Sequence, residues 1–129
     1  MHFHGRMQGF SIIELLAVMA AIGILIAIVF PTYTEMVDDK KEMKAKSLLF
    51  EIMHLEEEYY SEQKVYTLDL ASLGYIAEDH EYAEDYRVSA MQCNGLDIAN
   101  CVLLHAESLK DNTRDFQMRS NSDRIMAVD

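Results

Sequence analysis

The run from residue 10 to residue 30 limits what this chain can become more than any other feature. Across it Glu14 is the only charged residue and Ser11 the only other polar side chain. As a helix rising ~1.5 Å per residue it reaches about 32 Å, against a bilayer hydrocarbon core of about 30 Å. The alternative is a core helix of a globular protein. A helix apolar on every face must then be wrapped on every side, which the roughly 100 other residues are too few to do. A membrane span is therefore expected over residues 10–30, with Pro31 closing it.

At 129 residues the chain has room for one small domain beside the span, which argues against a two-domain enzyme. Against 22 Asp and Glu stand 11 Lys and Arg, a formal net charge of -11. Such a surface repels phosphate backbones, so no nucleic acid is expected to bind the acidic surface as a whole, although composition leaves a local basic patch open.

A secretory signal peptide is cut at a small-residue site after its apolar stretch. No A-x-A-like triplet follows Pro31, whereas a Gly9-Phe10 junction lies directly before the apolar run, and residues 1–9 read as a polar leader carrying Arg6. The series Gly9, Phe10, Ser11, Ile12, Ile13, Glu14, Leu15, Leu16, followed by the apolar run and Pro31, resembles the start of type IV prepilins. The match covers about a quarter of the chain. In that family a prepilin peptidase cuts after the glycine and methylates the new amine. The resemblance thus implies cleavage between Gly9 and Phe10 and N-methylation of Phe10. No cofactor is implied.

Glu14 has a physical reading of its own. A carboxylate near a bilayer centre costs roughly 2.5 to 3.5 kcal/mol on insertion scales, less near the edge, so an intramembrane charge marks a functional position. Cleavage creates a cation for it, the Phe10 amine. The pairing is either with the chain's own amine one turn away, or snorkelling to the interface, or, as the resemblance implies, with the Phe10 amine of a neighbouring subunit, setting helix stagger in a filament. Topology is in tension: Arg6 and two His precede the span, while Lys40, Lys41, Lys44 and Lys46 follow it, so the positive-inside rule taken literally could invert the chain. The resemblance puts the C-terminal domain in the periplasm, because the peptidase acts at the cytoplasmic face and the two Cys suit an oxidising compartment.

Pro31 lacks an N-H and clashes with the turn before it, predicting a kink or interruption. Beyond it Ala45, Leu48, Leu49, Ile52, Leu55 and Tyr59 recur at spacings of three and four, while Lys44, Ser47, Glu51, His54 and Glu58 occupy other faces. Residues 31–62 therefore read as an amphipathic continuation of the helix. The run Glu56, Glu57, Glu58, Tyr59, Tyr60, then Tyr66, Leu70, Leu73, Gly74 and Tyr75, is similar to the region after the long helix in minor pilins. Paired Glu56 and Glu57 could suggest acid-base chemistry, but a charge run on a helix is ordinarily a solvated face, as is His54.

Strand texture follows. Residues 86–91 and 115–120 alternate, 101–106 are compact and apolar, and a turn at 121–123 leads to a fourth apolar segment at 124–128. The expected architecture is α+β: a long N-terminal helix on an antiparallel sheet of three to four strands, with residues 63–129 forming a small globular β domain. Cys93 and Cys101 bracket Asn94-Gly95, a turn dipeptide, and read as a disulfide across a hairpin end, with free thiols or a metal pair as rivals. Asp111, Asn112 and Asp115 make an oxygen-rich stretch that fits no defined calcium loop.

The leading expectation is a minor type IV pilus subunit in a Gram-negative bacterium, contributing to pilus biogenesis, adhesion, twitching motility or DNA uptake. It would be held in the inner membrane as a single-pass protein and then move into the filament at the cell surface. Its partners would be the prepilin peptidase, other pilin subunits and the assembly machinery. The alternatives are a type II secretion pseudopilin or a membrane-anchored binding domain that does not polymerise. An enzyme is not expected: no nucleophile with a base, phosphate-cradling glycine loop or zinc-ligand set is visible.

Overall fold

The computed structural model describes residues 9–129, so most of the expected leader, Arg6 included, lies outside the described residues. The element order is one long helix, α1 (Ile12–Gln63), a short 3-10 turn (Leu70–Leu73), and four strands: β1 (Tyr86–Gln92), β2 (Val102–Ser108), β3 (Asp115–Arg119) and β4 (Ile125–Val128). The protein is α+β, as the residue pattern predicts, and each expected strand is present to within a residue or two. The chain divides into two units, Met1–Met36 and Val37–Asp129.

In the first unit every described residue is exposed, including the whole apolar run. The helix starts in a reciprocal cap. Ser11 N donates to Glu14 Oε2 at 2.9 Å, and Glu14 N donates to Ser11 Oγ at 3.2 Å. Two of the helix's first orphan N-H groups are thus satisfied by a Ser-x-x-Glu capping box. The helix runs through Pro31 without a break. Around it, hydroxyls bond back to carbonyls: Thr32 Oγ1 donates to Ile28 O at 3.4 Å, and Thr34 Oγ1 to Pro31 O at 2.8 Å.

In the second unit the helix buries Glu42, Ala45, Leu48, Leu49, Ile52, Met53 and Glu56, a stripe at spacings of three and four. Lys44, Ser47, Glu51, His54 and Glu58 are exposed, as their spacing predicts, while Leu55 and Tyr59 are half-buried at the stripe's margin. The strands form an antiparallel meander in chain order, β1-β2-β3-β4. Its register sets Val88 opposite Ala106, Leu104 opposite Met118, and Phe116 opposite Ala127. Alternation puts Tyr86, Val88, Val102, Leu104, Ala106, Phe116 and Met118 on one face, where they join Ala45, Leu48, Leu49, Ile52 and Met53 in a single core.

Residues 64–85 connect helix to sheet. Lys64 takes a left-handed conformation (φ 61°) just past the helix end, and its N-H donates to Tyr60 O at 2.8 Å. Asp69 caps the 3-10 turn through Ala71 N, and Gly74 ends it at φ 91°, a conformation that glycine adopts without steric cost. Tyr75 then turns inward, and its hydroxyl accepts from Val88 N at 3.2 Å, satisfying an amide on the β1 edge.

Candidate functional site

The residues that the sequence singled out fall on two separate parts of the molecule. Gly9, Phe10, Glu14 and Pro31 belong to the first unit. Phe10 is 90% exposed, and nothing lies within 4 Å of where a side chain on Gly9 would begin. The junction between them is therefore sterically open. From residue 12 on, the helix is long and apolar enough to cross a membrane, with none of that stretch covered by protein. Apolar surface of this extent needs lipid or other protein around it. The carboxylate of Glu14 does not project freely from this surface. It is turned back onto Ser11 N, so the one charge of the run is held at the helix start, where the positive end of the helix dipole favours it.

The second unit carries the cysteines. Cys93 and Cys101 form a disulfide with Cα atoms 5.7 Å apart, closing the turn between β1 and β2. Both cysteines are buried, while Asn94, Gly95 and Leu96 at the turn stand exposed. Gly95 sits at φ 79°, which the Asn-Gly dipeptide permits.

Two buried carboxylates were not anticipated. The reading of Glu56 and Glu57 as one solvated face is corrected for Glu56, which is 0% exposed. Its Oε2 accepts from Thr67 N at 3.0 Å. Burial pushes the Glu56 carboxyl above its ordinary range, only partly opposed by the Thr67 hydrogen bond. Glu42 has the opposite surroundings. Its Oε2 accepts from Arg114 Nη2 at 2.9 Å and its Oε1 from Arg114 Nε and N, each at 3.2 Å. The Arg114 hydrogen bond holds Glu42 below its ordinary range, against the effect of burial. A signal for both was present in the sequence, because 42, 45, 49, 52 and 56 are spaced 3, 4, 3, 4, which places each Glu on the apolar stripe. Ser11 to Glu14 likewise matches the capping-box pattern.

Asp115 has other work than the oxygen-rich stretch suggested. Its Oδ1 accepts from Ser108 N at 2.8 Å, and its Oδ2 lies 3.3 Å from His105 Nε2. Gln117 Nε2 lies 2.9 Å from the ring's other nitrogen. These contacts tie β2 to β3 on the sheet's outer face. Among the described residues no three His, Cys, Asp or Glu side chains come together to hold a metal ion.

Comparison with known proteins adds two relatives. Over 90 residues, 69% of this chain, it is 37% identical to fimbrial protein EcpC of Eikenella corrodens, across 59% of that protein. Over 89 residues, 68% of this chain, it is 35% identical to type IV major pilin protein PilA of Myxococcus xanthus (strain DK1622), across 40% of that protein. The matched region thus spans about half the length of these curated relatives. No family model matches the chain, and no solved structure matches it. One of these relatives is thus named as a fimbrial protein and the other as a type IV major pilin.

Proposed function

We propose that this chain is a structural subunit of a type IV pilus, assembled through its apolar N-terminal helix. One observation carries the reading: a fully exposed apolar helix, preceded by an open Gly9-Phe10 junction and bearing one carboxylate at its start, belongs to the same chain as a helix-and-meander domain. The likeness to a fimbrial protein and to a major pilin supports it.

In this reading the mechanism is assembly without turnover. A prepilin peptidase cuts between Gly9 and Phe10 and methylates the Phe10 amine. Ser11 and Glu14 stay on the same side of the cut, so the capping box survives processing. The new amine sits one helical turn before Glu14, and a neighbour's Phe10 amine is a second cation within its chemistry. Until assembly, residues 10–30 hold the subunit in the inner membrane with the C-terminal domain in the periplasm. The assembly machinery then exchanges lipid around the helix for the helices of other subunits, with Pro31 as the place where the helix bends. The disulfide suits that oxidising compartment.

Within the pilus we assign a minor, accessory place, in biogenesis, adhesion, twitching motility or DNA uptake. The similarity of residues 56–75 to the corresponding stretch of minor pilins supports this. The relative named as a major pilin favours a second reading, an abundant subunit, and the share of this chain in sheared filaments decides between them.

The test is intact mass and N-terminal sequence after expression with and without a prepilin peptidase. A mature chain starting at N-methylated Phe10, formed only with the peptidase, is expected. A chain left uncut beside an active peptidase, or one cut beyond Pro31, overturns the filament reading.

A further inference from the structure

Glu56 is fully buried with only half of its carboxyl group engaged. Oε2 accepts from Thr67 N, while Oε1 is buried without a hydrogen-bond partner. No charge among the described residues compensates it, since the ion pairs there join Lys41 to Asp85, Glu42 to Arg114 and His105 to Asp115. On its own helix Glu57 and Glu58 are exposed, and Tyr59 and Tyr60 are half-exposed. On the connection facing it Lys64 and Asp69 are exposed and Tyr66 is half-buried. Beyond the 3-10 turn the Tyr75 hydroxyl is committed to Val88 N. An ionised carboxylate in such a place leaves a bare, unsolvated oxygen, so the neutral acid is favoured.

What Glu56 holds gives this consequence. Thr67 begins a relay of local hydrogen bonds: its Oγ1 accepts from Asp69 N at 3.0 Å, and Asp69 Oδ1 accepts from Ala71 N at 3.2 Å, opening the turn that buries Leu70. Glu56 is the helix's hydrogen-bonding hold on that relay. Tyr66 adds a ring stacked on Tyr60 at 4.6 Å and an N-H donated to Ile98 O at 3.3 Å.

We propose that Glu56 is a proton-operated latch: as the neutral acid it fastens residues 64–69 to the helix, and its ionisation loosens that connection from the core. The sign follows from burial. The Thr67 bond taken alone favours the carboxylate, but stranding a charge in this buried site is the larger effect, so the ionised form gains by opening to water. The folded-state affinity for the proton lies above that of the unfolded chain, whose ordinary value is 4.5. The stabilisation is complete below that value and is lost as pH rises through the folded value. The latch is a property of the Val37–Asp129 unit and does not rest on the filament reading.

The test uses the full chain in detergent micelles. NMR follows the Glu56 carboxyl carbon against pH, and hydrogen exchange at Thr67, corrected for its intrinsic pH dependence, follows the connection. The carboxyl is expected to titrate above 4.5. Thr67 protection should fall between 4.5 and that midpoint, by about tenfold for each unit of the upward shift, and level off above it. Glu56→Gln, which keeps an acceptor for Thr67 N, should hold Thr67 protection level across the window. A Glu56 midpoint at or below 4.5, or Thr67 protection that does not change as Glu56 titrates, overturns the proposal. So does a folded Glu56→Gln protein that keeps the pH dependence; should that variant fail to fold, the two readings on the unaltered chain decide alone.

Discussion

Leu49→Ala tests whether the stripe on residues 37–63 is what fastens helix to sheet. Leu49 is 0% exposed and shares its core with Tyr86 and Phe116, two of the largest fully buried side chains. The change removes three carbons, worth roughly 2.4 kcal/mol at ~0.8 kcal/mol for each buried methylene. The void that remains adds to this, because large rings on a hydrogen-bonded sheet collapse poorly into it, bringing the expected loss to about 3 to 5 kcal/mol. For a domain of roughly 90 residues each kcal/mol lowers the melting temperature by about 4 to 8 °C, so a fall of at least about 12 °C is expected. The assay is thermal melting of the full chain in detergent, read by the near-ultraviolet circular dichroism of its tyrosines. Tyr75 and Tyr86 are buried in this core, whereas the apolar helix before Pro31 carries no tyrosine and stays silent. Phe50→Ala is the control on the same helix. Phe50 is 51% exposed, and its loss should change stability by no more than about 0.5 kcal/mol. Equal effects of the two substitutions would refute the assignment of the buried face.

Glu42 and Glu56 should give opposite pH signatures. The Arg114 bond lowers the Glu42 value, so its contribution is present above 4.5 and is lost as pH falls through the folded value; Glu42→Gln should flatten that acid limb of an unfolding series. Replacing Cys93 and Cys101 together by Ser should cost roughly 2 to 3 kcal/mol by denaturant titration, the loop-closure value for so short a bridge, and reductant should shift the parent chain but not the variant.

The sequence made the fold readable because each element announces itself locally. The helix stripe has spacings of three and four, the strands alternate, and Asn94-Gly95 with its flanking cysteines marks the first hairpin. Contacts between distant residues stayed hidden. Glu56 stands in a run of three glutamates, and composition there outweighs position, although its place four residues after Ile52 puts it on the buried face. Glu42 looks like one more charge in a lysine-rich segment until Arg114, 72 residues away, is seen to engage it. Asp115 looked like a loop oxygen because its partners His105 and Ser108 lie on the neighbouring strand. The Glu14 cap is legible as Ser11-x-x-Glu14, a pattern that competes with the membrane cost of the same charge.

The sequential order of the meander also bears on how the molecule comes together in time. Each strand pairs with the one just made, so the sheet can grow hairpin by hairpin with short loops to close. Helix docking has no such shortcut. Arg114 follows Glu42 by 72 residues, and at ~5 to 20 residues per second a ribosome takes about 4 to 14 s to supply it. Leu48, Leu49 and Ile52 have no sheet to cover them until β1 and β2 bring Val88, Val102, Leu104 and Ala106, and their cover stays partial until β3 follows. The nascent chain is then most open to mispairing or to a chaperone, and the arrival of β3, which brings Phe116 and Met118, brings that exposure to an end.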